Sequence, residues 1–235
     1  MMQLLVSVRS AAECRQVVEA GVDVIDLKEP LRGSLGAPDS QVLRDVAEVV
    51  AGRCPLSVAL GEVLDEEADG QSRGEDLPPT VGYAKFGLSG SESHSTWREA
   101  WAAAWERLPA SVCRVAVAYV DQGPARCVPW RSILAEGTGL GCGVLLLDTF
   151  DKSQGGLRFW MTDKELLAVR EATADRGVKL ALAGSLQVSD LSALRAIHPD
   201  LVAVRSAVCE GGRTGPLSLR RLAEVREQLR VCGVA

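Results

Sequence analysis

Lysine is scarce in this chain. Only five of its 26 basic residues are lysine (Lys28, Lys85, Lys152, Lys164 and Lys179), and the rest are arginine. Arginine bias is what a GC-rich coding sequence produces and carries no function by itself. Its consequence is useful. Where lysine persists, lysine-specific chemistry gains weight, because a guanidinium does not deprotonate to a nucleophilic amine. Histidine is scarcer still. His94 and His198 are the only two, and both fall in helix-start or loop contexts that suit surface or capping residues. No histidine or carboxylate cluster has metal spacing, so no metal is expected.

Other absences narrow the class. No apolar run approaches the ~20 residues that span a bilayer, so no membrane partner is expected. The opening residues 1–9 have a short apolar part and no basic leader, which argues against a signal peptide. A net charge of −5 leaves no basic footprint for nucleic acid. Seven cysteines (Cys14, Cys54, Cys113, Cys127, Cys142, Cys209 and Cys232) are scattered without a C-x-x-C, several of them in apolar runs. This fits reduced, buried thiols in a cytoplasmic protein, not a disulfide framework or a zinc site.

What is present is alternation. With 235 residues, 47% of them hydrophobic, the chain can bury a substantial core. β-like runs are predicted at 3–8 (QLLVSV), 22–28, 56–60, 83–88, 114–119, 143–149, 178–183 and 201–205. Helical patterns lie between most of them, at 10–20, 40–51, 95–108, 128–136, 162–175, 189–196 and 217–230. Ser10 with Glu13, and Thr162 with Glu165, have capping-box spacing, and Gly21 and Gly137 mark helix ends. Residues 65–79 are polar and rich in Gly and Pro, and are expected as a loop. Strict β-α alternation implies a parallel sheet with right-handed crossovers. Eight units in this length predict an α/β fold, one (β/α)8 barrel over 1–235. A doubly wound open sheet is the alternative. It is weakened because Val8-Arg-Ser-Ala-Ala-Glu13 stands where a Gly-x-Gly-x-x-Gly would follow strand one, and no cofactor is expected.

A barrel carries its site at the C-terminal ends of its strands. Ser7 and Arg9 end strand one. Asp26 and Lys28 end strand two, spaced to face one side. Lys85 lies within strand four, and Asp148 ends strand six with Lys152 four residues on. Three of five lysines thus converge on the mouth. A desolvated lysine near other cations has a lowered pKa and can attack a carbonyl to form an imine. A carboxylate beside it can move the α-proton. Taken singly, Lys28 could equally be a snorkelling or salt-bridged residue, a reading that suits Lys85 less because Ala84, Phe86 and Leu88 flank it and a half-buried lysine needs a partner.

Strands seven and eight end in Gly184-Ser185 and Arg205-Ser206, with Gly211-Gly212-Arg213 following. Loops in these positions often hold phosphate. Glu62 faces the right end without an obvious partner. Trp97, Trp101 and Trp105 form one helical stripe. Packing on the barrel suits it best, and a subunit interface, hence a homo-oligomer, is the second reading.

The runs Leu4-Leu-Val-Ser-Val8, Gly21-Val-Asp-Val-Ile-Asp-Leu-Lys-Glu-Pro30 and Gly33-Ser-Leu-Gly-Ala37 resemble the (5-formylfuran-3-yl)methyl phosphate synthase family. The resemblance continues at Lys85-Phe-Gly-Leu88, Leu147-Asp-Thr-Phe-Asp-Lys152, Ala183-Gly-Ser-Leu186, Val204-Arg-Ser-Ala-Val-Cys209 and Gly211-Gly-Arg213. It implies a barrel lyase that joins two glyceraldehyde 3-phosphates into a furan phosphate, losing one phosphate and two waters, for a methanofuran-type one-carbon carrier. It implies Lys28 as the imine lysine, with Asp26, Lys85, Asp148 and Lys152 as the other active-site acids and lysines. A class I aldolase or sugar-phosphate isomerase, and a non-catalytic phosphate-binding barrel, are the competing readings.

Overall fold

A computed structural model describes residues 2–65, 74 and 77–231. Eight parallel strands close into a barrel in sequence order, with β8 returning to β1. They are β1 Gln3–Val8, β2 Val24–Leu27, β3 Leu56–Glu62, β4 Val81–Gly87, β5 Cys113–Tyr119, β6 Val144–Asp148, β7 Lys179–Leu182 and β8 Leu201–Val204. Around them lie α1 Ala11–Ala20, α2 Ser40–Val50, α3 Trp97–Glu106, α4 Gln122–Ala125, α5 Trp130–Gly139, α6 Leu157–Trp160, α7 Asp163–Ala174, α8 Val188–Ala193 and α9 Leu219–Val231. The open-sheet alternative is excluded by closure. Most of the loop expected at 65–79 falls outside the described residues.

Local chemistry sets the boundaries. The Ser10 side chain accepts the Glu13 N–H, and Gly21 ends α1 in the left-handed region. Thr162 and Glu165 form the reciprocal capping box that starts α7. Strand two is shorter than its apolar run, and just before it the Asp23 side chain accepts the Leu4 N–H at 2.8 Å. Strand three runs two residues past the expected Leu60, through an irregular register against β4. Helix α5 passes through Gly137 instead of ending there. The reason is packing: a Cβ at that position would crowd Ala116 at 3.0 Å and Trp101 at 3.2 Å. Two short helices, α4 and α6, occupy stretches that carry no helical periodicity.

The core is the annulus between strands and helices. Ile25, Leu27, Leu56, Val58, Leu145 and Leu147 are fully buried there. Trp97, Trp101 and Trp105 are 3%, 0% and 0% exposed, and Trp105 meets Phe86 of β4 edge-on with centroids 5.0 Å apart. The stripe is therefore covered within one chain and offers no face to a second subunit. No helix among the described residues is long and apolar enough to cross a membrane.

Candidate active site

The barrel mouth collects the five residues expected to do chemistry. Asp26, Lys28, Lys85, Asp148 and Lys152 line one pocket, which also takes in Ser7, Gly184, Ser185, Arg205, Ser206 and Arg213. Two ion pairs frame it. Lys85 reaches across the barrel to the Asp26 carboxylate and donates to Ser57 at 3.0 Å, while Ser7 donates to the other Asp26 oxygen at 2.9 Å. Lys152 pairs with Asp148 at 2.5 Å and donates to Thr149. Ser34, carried in by the β2–α2 loop, donates to the Thr149 carbonyl at 2.9 Å. Burial opposes ionisation of both carboxyls, but the neighbouring ammoniums win. Lys85 and Lys28 hold Asp26 below the usual range, and Lys152 and Lys28 do so for Asp148.

Lys28 is the exception. Asp26 and Lys28 share one space, as their spacing predicts, yet they do not pair. The Lys28 amine has no hydrogen-bond or ion-pair partner among the described residues. Burial brings its pKa down to about 8. Lys152 and Lys85 push the same way, and Asp148 and Asp26 oppose. The arrangement is two satisfied ion pairs around one amine that is partly neutral near neutrality.

The phosphate-cradle residues divide. Gly184 and Ser185 turn with φ of 93° and 51°, in the left-handed region that suits glycine. Ser206 also reaches the pocket wall. Arg205 lines the wall too, but all five of its N–H groups are committed. They go to Glu13 at 2.5 and 3.0 Å, Ser7 O at 3.0 Å, Arg213 O at 2.8 Å and Gly215 O at 3.3 Å. It braces the loop and has no donor left for a ligand. Gly211 and Gly212 lie outside the pocket wall, in the turn before Arg213. Arg213 does reach the pocket, with one nitrogen fixed to the Pro30 and Gly33 carbonyls.

Glu62 does have a partner. It accepts the Tyr119 hydroxyl and the Ser89 N–H at 2.8 Å. Tyr119 is the residue missed in the sequence, although it ends strand five and meets the strand-end criterion that picked out Asp148, its register partner. Of the two histidines, His94 lies 3.2 Å from Thr96 and His198 ends a 3-10 turn, away from the pocket. No group of three or more His, Cys, Asp or Glu among the described residues could hold a metal ion.

The fold and mouth define a (β/α)8-barrel enzyme with a lysine-centred polar site. Solved structures agree on the fold alone. 3-Hexulose-6-phosphate synthase from Salmonella typhimurium aligns over 98% of this chain and 100% of its own, with a TM-score of 0.63 at 14% identity. Thiamine phosphate pyrophosphorylase from Pyrococcus furiosus aligns over 99% and 97%, with a TM-score of 0.62 at 11% identity. The family model for 4-HFC-P synthase matches residues 4–226. A (5-formylfuran-3-yl)methyl phosphate synthase of Methanococcus maripaludis is 31% identical over 98% of this chain and 99% of its own. That of Methanosarcina acetivorans is 32% identical over 90% and 92%. The chain belongs to the 4-HFC-P synthase family.

Proposed function

We propose that this protein is a (5-formylfuran-3-yl)methyl phosphate synthase. It joins two molecules of glyceraldehyde 3-phosphate into the furan aldehyde phosphate, releasing one phosphate and two waters, in the biosynthesis of a methanofuran-type one-carbon carrier. Family membership supports the reaction. One observation supports the mechanism: the Lys28 amine has no partner among the described residues and is lowered to about 8, between two ion-paired lysines.

Lys28 attacks the substrate aldehyde and loses water to form an imine, whose protonated form draws electrons from the neighbouring carbon. Asp148 or Asp26, held ionised, accepts the proton from that carbon. The resulting enamine supplies electrons for loss of phosphate and for carbon–carbon bond formation. Lys152 and Lys85 donate protons toward the departing oxygens. A phosphate rests against the Gly184-Ser185 turn and Ser206, with Arg213 as its guanidinium and Arg205 fixing the loop. Gly211 and Gly212 turn the chain so that Arg213 reaches in. The reading extends to a single catalytic domain that needs no cofactor, in a cytoplasmic homo-oligomer. The six described free cysteines fit that compartment, and sedimentation of the purified chain tests the assembly.

Product analysis after incubation with glyceraldehyde 3-phosphate is the decisive experiment. A furan-aldehyde ultraviolet band and the product mass are expected. A hexose bisphosphate, or the ketose isomer alone, would indicate the aldolase or isomerase reading and end this one.

A further inference from the structure

The Glu62–Tyr119 pair stands apart from the lysine pocket and has no part in the roles above. Glu62 ends β3 where its register against β4 slips, opposite Gly87. A Cβ on Gly87 would collide with the Glu62 carboxyl, so the glycine makes the space the carboxyl occupies. Ser89 N–H and the Tyr119 hydroxyl then fix its orientation. Tyr119 is 1% exposed and packs edge-on against Phe150, with centroids 5.3 Å apart. The carboxyl faces a cleft of about 330 Å³ that Arg32, Leu60, Ser89 and Phe150 also line. Asp65 and Arg32 stand at its rim, and Arg32 is paired with Asp39 at 2.8 Å. A wider opening shares Pro30, Lys152 and Arg213 with the lysine pocket, and Gly33 and Phe150 with this cleft. The two are therefore joined along the barrel mouth.

Expelling two waters calls for acids at the departing hydroxyls. With one phosphate and two waters departing, Lys85 and Lys152 serve two of the three, and Asp26 and Asp148 are held as carboxylates with no proton to give. Glu62 differs. Its burial, with Asp65 and Asp148 nearby, outweighs the hydrogen bonds from Tyr119 and Ser89 and raises its pKa.

We propose that the cleft beside the lysine pocket takes the carbon chain of the second triose phosphate, and that Glu62, aimed by Tyr119, is the catalytic acid for one dehydration. This rests on the lyase reading above. A carboxylate of the lysine pocket takes the carbon-bound proton, and Asp148, beside Tyr119 in the barrel register, is placed for it. The C–H electron pair becomes the new C=C bond. The C–O bond breaks, and the hydroxyl leaves with the Glu62 proton as water. Glu62 regains a proton from solvent through the open cleft, the pocket carboxyl releases the one it took, and no oxidant or reductant is needed.

The test compares wild type with Glu62→Gln and Tyr119→Phe, using glyceraldehyde 3-phosphate, borohydride trapping and intact-mass measurement. Glu62→Gln should lower furan turnover about 100-fold or more, the range of a lost general acid. Trapping at Lys28 should stay within about twofold, and the trapped six-carbon adduct should be one water heavier than the dehydrated one. Tyr119→Phe, which keeps the ring and removes only the hydroxyl, should lose about tenfold with the same heavy adduct. Glu62→Gln turning over within about threefold of wild type would overturn the proposal. So would a parallel fall in trapping and turnover, which marks a merely structural role. A wild type that makes no furan refutes the lyase reading, and the proposal with it. A furan-making wild type beside unimpaired variants refutes the proposal alone.

Discussion

The pH dependence of Lys28 is the sharpest consequence of the site. Imine formation needs the neutral amine. With a pKa lowered to about 8, roughly 9% of Lys28 is neutral at pH 7, against about 0.04% for an ordinary lysine. That is an advantage of roughly 200-fold in competent nucleophile. Borohydride trapping with glyceraldehyde 3-phosphate should therefore rise about tenfold per pH unit below 8, bend near 8 and level off above it. Peptide mapping should place the adduct on Lys28. Lys152 is a like charge that helps lower this pKa, so Lys152→Met should move the bend to higher pH. The same shift has a stability sign. A depressed base is penalised while protonated, so the folded state gains stability as pH rises from about 8 toward 10.4, where only the unfolded chain keeps the proton. Lys28→Met should then be more stable than wild type at pH 7, by about 1–3 kcal/mol, the full shift being discounted for partial exposure. A bend above pH 10, an adduct on another lysine, or a Lys28→Met variant less stable at pH 7 would refute the account of this amine.

Three further outcomes follow from the same contacts. Asp26→Asn or Lys85→Met alone should cost about 3–5 kcal/mol in denaturant unfolding, because each strands a buried charge, and the double variant should recover part of it. Arg213→Ala should raise KM for the phosphorylated substrate with little change in melting temperature. Arg205→Ala should instead lower stability by about 3–5 kcal/mol, since it removes the buried arginine and leaves Glu13 and the carbonyls of Ser7, Arg213 and Gly215 without their donor; equal KM effects without a stability difference would reverse these assignments. Trp101→Ala should cost about 3–5 kcal/mol by leaving a cavity between α3 and the barrel, read by thermal unfolding.

The sequence alone determined the architecture. Hydrophobic runs spaced by helical patterns, with Ser10, Gly21 and Thr162 at helix ends, carry the β-α alternation, because capping and periodicity are local and each helix must cover the strand pair it joins. Alternation also named the mouth: Lys28 and Asp148 at strand ends, Lys85 within strand four and Lys152 four residues past strand six were legible from it. Tertiary structure decided how those charges pair. Nothing in the local sequence says that Asp26 turns to Lys85, 59 residues away, and leaves Lys28 two residues along without a partner among the described residues. Nor does it say that Arg205 spends its donors on Glu13, 192 residues distant, or that Glu62 finds Tyr119 across the space left by Gly87. Charge pairing depends on which side chains the closed barrel brings within reach and how dry it leaves them. Strand order and register set both, so Lys28 becomes the free amine only once the barrel is closed.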